Sequence, residues 1–113
     1  MRIAPDQFRV TEFEFSGRPG IAVAGEVDEA HCGELEAELS RLSTGGGHVF
    51  LDLQGCTFLD SKGLDVIVRA AARLFDEGGQ LTVHNARGPV RELFRMTGLT
   101  GGNGLLLHRD VPG

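Results

Sequence analysis

The apolar positions of this chain alternate between two periods, with glycine-rich punctuation at each change. Residues 8–15, FRVTEFEF, read as a half-buried strand whose apolar phase slips by one residue between Val10 and Phe13, which predicts a bulge or a late strand start. SGRPG is a turn, and IAVAGEV then sets Ile21, Val23 and Val27 on one face of a second strand, so residues 8–27 make a predicted hairpin. In DEAHCGELEAELSRL the period changes. Cys32, Leu35, Leu39 and Leu42 align on one side of a helix, with Asp28 as its candidate cap and STGGG as its end.

HVFLDL, residues 48–53, carries apolar residues on both faces, as an interior strand does. In CTFLDSKGLDVIVRAAARLF, residues 56–75, Leu64, Ile67, Val68, Ala71, Leu74 and Phe75 then follow the spacing of a buried helix face, and Gly78 and Gly79 close that helix. QLTVHN alternates as a strand. RGPVRELFRMTGL has Pro89 in a first turn, turns Val90, Leu93 and Phe94 inward and ends at Gly98, and GLLLHR follows the TGGNG turn as a last strand. The order ββαβαβαβ predicts an α/β fold: a mixed sheet of four to five strands with helices packed on it. Its parallel pairs are joined by right-handed crossovers, and the first hairpin adds an antiparallel pair. No internal repeat or second boundary interrupts residues 1–113, which are expected to form one domain with a short flexible tail at 109–113.

Composition adds exclusions. A chain of 113 residues, 41% hydrophobic and 24% charged, is the size of one globular domain and needs neither disulfide nor metal to fold. Cys32 and Cys56 lie far apart and form no ligand spacing with His31, His48, His84 or His108, so both are expected to be reduced, buried small apolar residues, and no metal or cofactor is expected. A net charge of -5, only 11 Lys and Arg, and the absence of Tyr and Trp argue against nucleic acid as a partner. The apolar stretches are broken by charge before the ~18 residues of a membrane span, and MRIAPDQFRV has no signal-peptide core, which predicts a cytoplasmic protein without membrane insertion.

The candidate chemistry centres on Ser61, placed by pattern at a helix N-terminus beyond the carboxyl end of a strand, where open α/β sheets put functional groups. Two roles are open to it. Serine is among the best helix caps. A phosphate on Ser61 would also be accommodated, by the helix dipole and by the unpaired N–H groups of Lys62, Gly63 and Leu64. A nucleophile elbow is absent because Leu59, not glycine, stands two residues before the serine, and Asp60-Ser61-Lys62 does not match a phosphate-binding loop. HRD at 108–110 imitates a kinase fragment in a chain too short to hold a kinase. Asp60 suits a turn or cap, Lys62 a solvated first-turn position, Glu26 and Asp28 a strand end and a cap, Gly63 close packing, and Leu64 and Ile67 the core.

FLDSKGLDVIVRA resembles the signature of the STAS domain family, shared by sulfate transporters and anti-sigma factor antagonists, in which an Asp-Ser-Ser/Thr-Gly-Leu run begins a helix. IAVAGEVDEA and VRELFRMTGL are similar to two further blocks of that family, in the same order. The resemblance implies a non-enzymatic anti-sigma factor antagonist with no catalytic residue. Its unmodified form would bind an anti-sigma factor that is also a serine kinase of the histidine-kinase-like ATPase fold. Phosphorylation at Ser61 would abolish binding, and a metal-dependent serine phosphatase would restore it. Glu26, Asp28, Asp60, Ser61, Lys62, Gly63 and Leu64 would form the partner face. Lys62 departs from the Ser or Thr usual at its position, which keeps open an alternative: a cytoplasmic STAS subunit of a lipid or anion transport system, binding an ATPase without phosphorylation.

Overall fold

Five strands and three helices form in the order ββαβαβαβ across residues 8–44, 46–96 and 105–107, the part of the chain described by this computed structural model. They are β1 (Arg9–Phe15), β2 (Arg18–Val27), α1 (Cys32–Ser43), β3 (His48–Leu59), α2 (Ser61–Asp76), β4 (Gln80–His84), α3 (Gly88–Met96) and β5 (Leu105–Leu107). The strands lie side by side as β1-β2-β3-β4-β5. β1 is antiparallel to β2 and every other pair is parallel, the mixed α/β sheet expected from the order of elements. The TGGNG turn, the end at Gly98 and the tail at 109–113 lie outside the described residues.

The phase slip in β1 has a different cause from the bulge expected of it. Its pairing with β2 runs without interruption from Arg9 opposite Ala24 to Phe15 opposite Arg18. Val10 packs against the core, while Phe13, an odd number of residues away, lies on the opposite face over Gly20. A Cβ on Gly20 would come 2.4 Å from the tip of the Phe13 ring, so the glycine is what lets the ring lie down.

The irregularity sits in β3 instead. Where β2 advances from Ala22 to Ala24, β3 advances from Asp52 to Gly55, and where β2 steps from Gly25 to Glu26, β3 steps from Cys56 to Phe58. Each shift inserts one extra residue in β3. Its buried positions are therefore Val49, Leu51, Leu53, Cys56 and Leu59, while those of β2 keep a period of two at Ile21, Val23, Gly25 and Val27. The strand expected over 48–53 accordingly continues to Leu59, and only Asp60 separates it from α2.

α1 contributes Leu35 and Leu39 to one core cluster, α2 contributes Leu64, Val66, Ile67, Ala70, Ala71 and Leu74, and α3 contributes Val90 and Phe94. Phe75, expected inward, is 58% exposed, and Val68 is only partly buried. Burying about 1.5–3 kcal/mol per large side chain, this cluster is what holds the helices on the sheet. Cys56 is buried and Cys32 half-buried, so the expectation for the two thiols holds fully for Cys56 alone. Asp28 does not cap α1. The cap position belongs to His31, whose side chain makes no capping bond, while Asp28 closes the preceding turn: its Oδ1 accepts from the Ala30 N–H at 3.1 Å and its carbonyl from the His31 and Cys32 N–H groups. α2 ends as predicted, with the Gly79 N–H donating to the Leu74 carbonyl and the Gly78 N–H to that of Phe75. No described helix is long and apolar enough to cross a membrane.

Candidate functional site

The turn from β3 into α2 is fixed through one residue. The Asp60 N–H donates to the Val27 carbonyl at 3.2 Å, tying the carboxyl ends of β2 and β3 together. The Asp60 carbonyl accepts from the Leu64 N–H at 2.9 Å, and its Oδ1 accepts from the Gly63 N–H at 2.8 Å. Asp60 is therefore the N-cap and Ser61 the first helical residue. The choice left open for Ser61 is thereby narrowed. Its side chain is exposed, and among the described residues its hydroxyl makes no hydrogen bond to protein. The donors available around it also differ from those expected. Asp60 already occupies the Gly63 and Leu64 N–H groups, and those of Ser61 and Lys62 are the ones left without a protein acceptor among the described residues.

The loop from β2 to α1 runs beside this turn. Glu26 is exposed at the end of β2, Asp28 follows it half-buried, and Glu29 carries the carboxylate that pairs with the Lys62 ammonium. That hydrogen bond and charge raise the Lys62 pKa above its ordinary value. With side chains 60% and 76% exposed, the pair adds little to stability, but it joins the loop to the start of α2. His31 Nδ1 lies 2.9 Å from Asp28 Oδ1 and 3.1 Å from the Glu26 carbonyl, and its ring stacks on Phe8 with centroids 4.6 Å apart. Burial raises the Cys32 thiol pKa, the Asp60 and Asp28 charges add to the rise, and Lys62 opposes it. Such a shift opposes thiolate formation at Cys32.

Glu26, Asp28, Asp60, Ser61 and Lys62 thus gather along one seam between the β2–α1 loop and the start of α2. Gly63 and Leu64, expected on the same face, lie buried beneath it. Two surface residues of this seam were not anticipated. Glu29 has no motif of its own, and only the cation opposite gives it a role. Phe58, 46% exposed and paired in register with Glu26, points outward because of the second β3 bulge, which the sequence pattern does not reveal.

With Asp60 as the cap, the two neighbours should respond differently to truncation. Asp60→Ala is expected to cost about 1 kcal/mol, the usual loss of a cap. Ser61→Ala should leave thermal stability unchanged within a few tenths of a kcal/mol, as at an exposed site without partners. Thermal melts of both variants test this, and an equal loss in the two would reassign the cap to Ser61.

The Mlab-type STAS domain family model matches residues 12–108. BtrV of Bordetella bronchiseptica is 31% identical over 91 residues, 80% of this chain and 78% of that protein. The anti-sigma-B factor antagonist of Bacillus subtilis is 30% identical over 79 residues, 70% of this chain and 72% of its own. A crystal structure of an anti-sigma factor antagonist from Mycobacterium paratuberculosis superposes with a TM-score of 0.73 at 30% identity, covering 85% of this chain and 82% of that one. A family model that matches residues 12–108, with relatives 30–31% identical over most of both chains, places this protein in the STAS domain family.

Proposed function

We propose that this domain is an anti-sigma factor antagonist of the cytoplasm, binding a serine kinase of the histidine-kinase-like ATPase fold through the seam around Ser61 and released when that kinase phosphorylates Ser61. The observation that carries this function is the division of labour at the α2 N-terminus: Asp60 caps the helix, and the Ser61 hydroxyl is left exposed and unbonded among the described residues. A kinase can reach such a hydroxyl without unfolding anything. Glu26, Asp28, Asp60 and Lys62 would meet the partner directly, and Gly63 and Leu64 would hold the seam in shape from below. A metal-dependent serine phosphatase would return the modified form to the binding state. In this reading the domain itself contributes no catalysis.

One observation favours a second function. Lys62 stands beside the serine and is already held by Glu29, an arrangement that does not depend on phosphate and suits a STAS subunit of a lipid or anion transport system bound to an ATPase. Affinity capture with the full chain from its native cell separates the two. A kinase-like anti-sigma factor in the eluate, able to transfer phosphate to wild-type protein but not to Ser61→Ala, is the expected result. A transporter ATPase in its place, with no phosphate transfer, would establish the second function.

A further inference from the structure

The face of the sheet turned away from the helix-covered core carries a cleft of about 250 Å³ lined by Phe13, Phe15, Phe50, Asp52, His84 and Asn85. Three phenyl rings supply its walls. Phe15 meets Phe50 edge to face at 5.4 Å between centroids, Phe50 meets the His84 ring in the same manner at 5.2 Å, and the tip of the Phe13 ring rests against Gly20. Phe15 is 57% exposed, so the rim is open to solvent. At the polar end, Asp52 is fixed through one oxygen among the described residues. Its Oδ1 accepts from the Gln54 N–H at 2.9 Å and from Asn85 Nδ2 at 3.1 Å. Among the described residues Oδ2 accepts from no protein donor. Asn85 leaves β4 in the left-handed region, φ 61°, a conformation asparagine tolerates better than most residues, and from there its amide reaches Asp52.

We propose that this cleft binds a compact organic cation, a protonated amine carried on an aromatic or branched apolar body. The chemistry follows from the lining. Ring faces carry negative electrostatic potential and attract a cation within about 6 Å of their centroids. The open oxygen of Asp52 offers a charge-assisted acceptor already oriented by two hydrogen bonds. A neutral apolar molecule of the same shape would bury that oxygen unsatisfied, and an anion would meet both the carboxylate and the ring faces with the wrong sign. The volume is below that of a drug-sized pocket, which limits the body to about one ring. The cleft is independent of Ser61: its residues belong to β1, β3, β4 and the first residue after β4, and none lies on the β2–α1 loop or α2.

The test is a titration of the full chain with 2-phenylethylammonium, followed by amide and ring chemical shifts. Saturable shifts at Phe15, Phe50, Asp52 and Asn85 are expected. 2-Phenylethanol, which keeps the ring and a hydroxyl donor but loses the positive charge, should bind about tenfold more weakly through the lost charge–charge and cation–ring attraction. Asp52→Asn should weaken the ammonium by a similar factor while circular dichroism reports its fold, and Phe15→Ala, at an exposed position, should weaken it without risk to folding. Equal affinity for alcohol and ammonium, unchanged ammonium affinity in the variants, or shifts that never saturate would each overturn the proposal. So would ring contacts from Phe15 to a second copy or to another segment of the chain already filling the cleft.

Discussion

Under the function proposed above, Ser61→Asp will melt within a few degrees of wild type and bind the anti-sigma factor about a hundredfold more weakly, a loss of about 2.7 kcal/mol. The fold has little to lose at this position. Ser61 is the first residue of α2, exposed, without a protein hydrogen bond among the described residues, and the cap bond from Asp60 to the Gly63 N–H does not involve it. A negative charge in the first turn is favoured by the helix dipole by only about 0.3–1 kcal/mol. The interface is different. A carboxylate, or the charge of about -1.5 to -2 brought by phosphate, must be desolvated against a partner surface shaped for a hydroxyl, with Asp60 adjacent and Glu29 across the seam. Such an uncompensated charge costs several kcal/mol at an interface. Lys62, the next residue in the chain, is a compensating cation whose charge is already shared with Glu29. Calorimetry of the melt and of partner binding checks both halves. Should the Asp variant unfold while its residual folded fraction binds at full affinity, Ser61 would be a structural residue and the switch would lie elsewhere.

The elements were legible in the sequence wherever one face of an element is buried and the other solvated. α2 is the clearest case: Leu64, Ile67, Ala71 and Leu74 are all at most 7% exposed, and the helix both starts and stops where capping chemistry predicts. Legibility fails where an irregular backbone breaks the period. β3 loses its alternation at Asp52–Gly55 and again at Cys56–Phe58, so its second half reads as a connector although it pairs with β2 as far as Leu59. β1 misleads in the opposite way, because its hydrophobic residues serve two faces, Val10 the core and Phe13 and Phe15 the aromatic cleft, and that mixture imitates a bulge.

The site shows the same limits at finer scale. The position of Ser61 at the start of a helix follows from periodicity, but which of two adjacent capping residues does the capping does not, since aspartate and serine have nearly equal preference for the role. The helix phase decides it, by setting Asp60 three residues before the Gly63 N–H. Glu29 became part of the site only through a pairing across 33 residues of sequence, which no local pattern encodes.

Gly63→Ala will lower the melting temperature by about 4–8 °C and weaken partner binding with the serine intact. Alanine is the better helix former, by up to about 1 kcal/mol, so propensity alone predicts a more stable protein. Packing opposes it. A Cβ at this position would stand 2.6 Å from Leu59 Cδ1, 2.9 Å from Val27 Cγ1 and 3.3 Å from the Val27 carbonyl oxygen. Leu59 can turn its methyl away, but Val27 is wholly buried and β-branched, and its carbonyl is the acceptor for the Asp60 N–H. The relief available is for the first turn of α2 to lift from the end of β2, at the cost of about 1–3 kcal/mol that overpacked cores show. That displacement carries Asp60, Ser61 and Lys62 away from Glu26, Asp28 and Glu29, so the seam distorts although no residue on its surface has changed. Thermal melts and a binding titration of Gly63→Ala beside Ser61→Ala separate this from any effect of the hydroxyl. A variant as stable as wild type that binds normally would mean that Val27 and Leu59 absorb the extra carbon, and that Gly63 does not set the position of the serine.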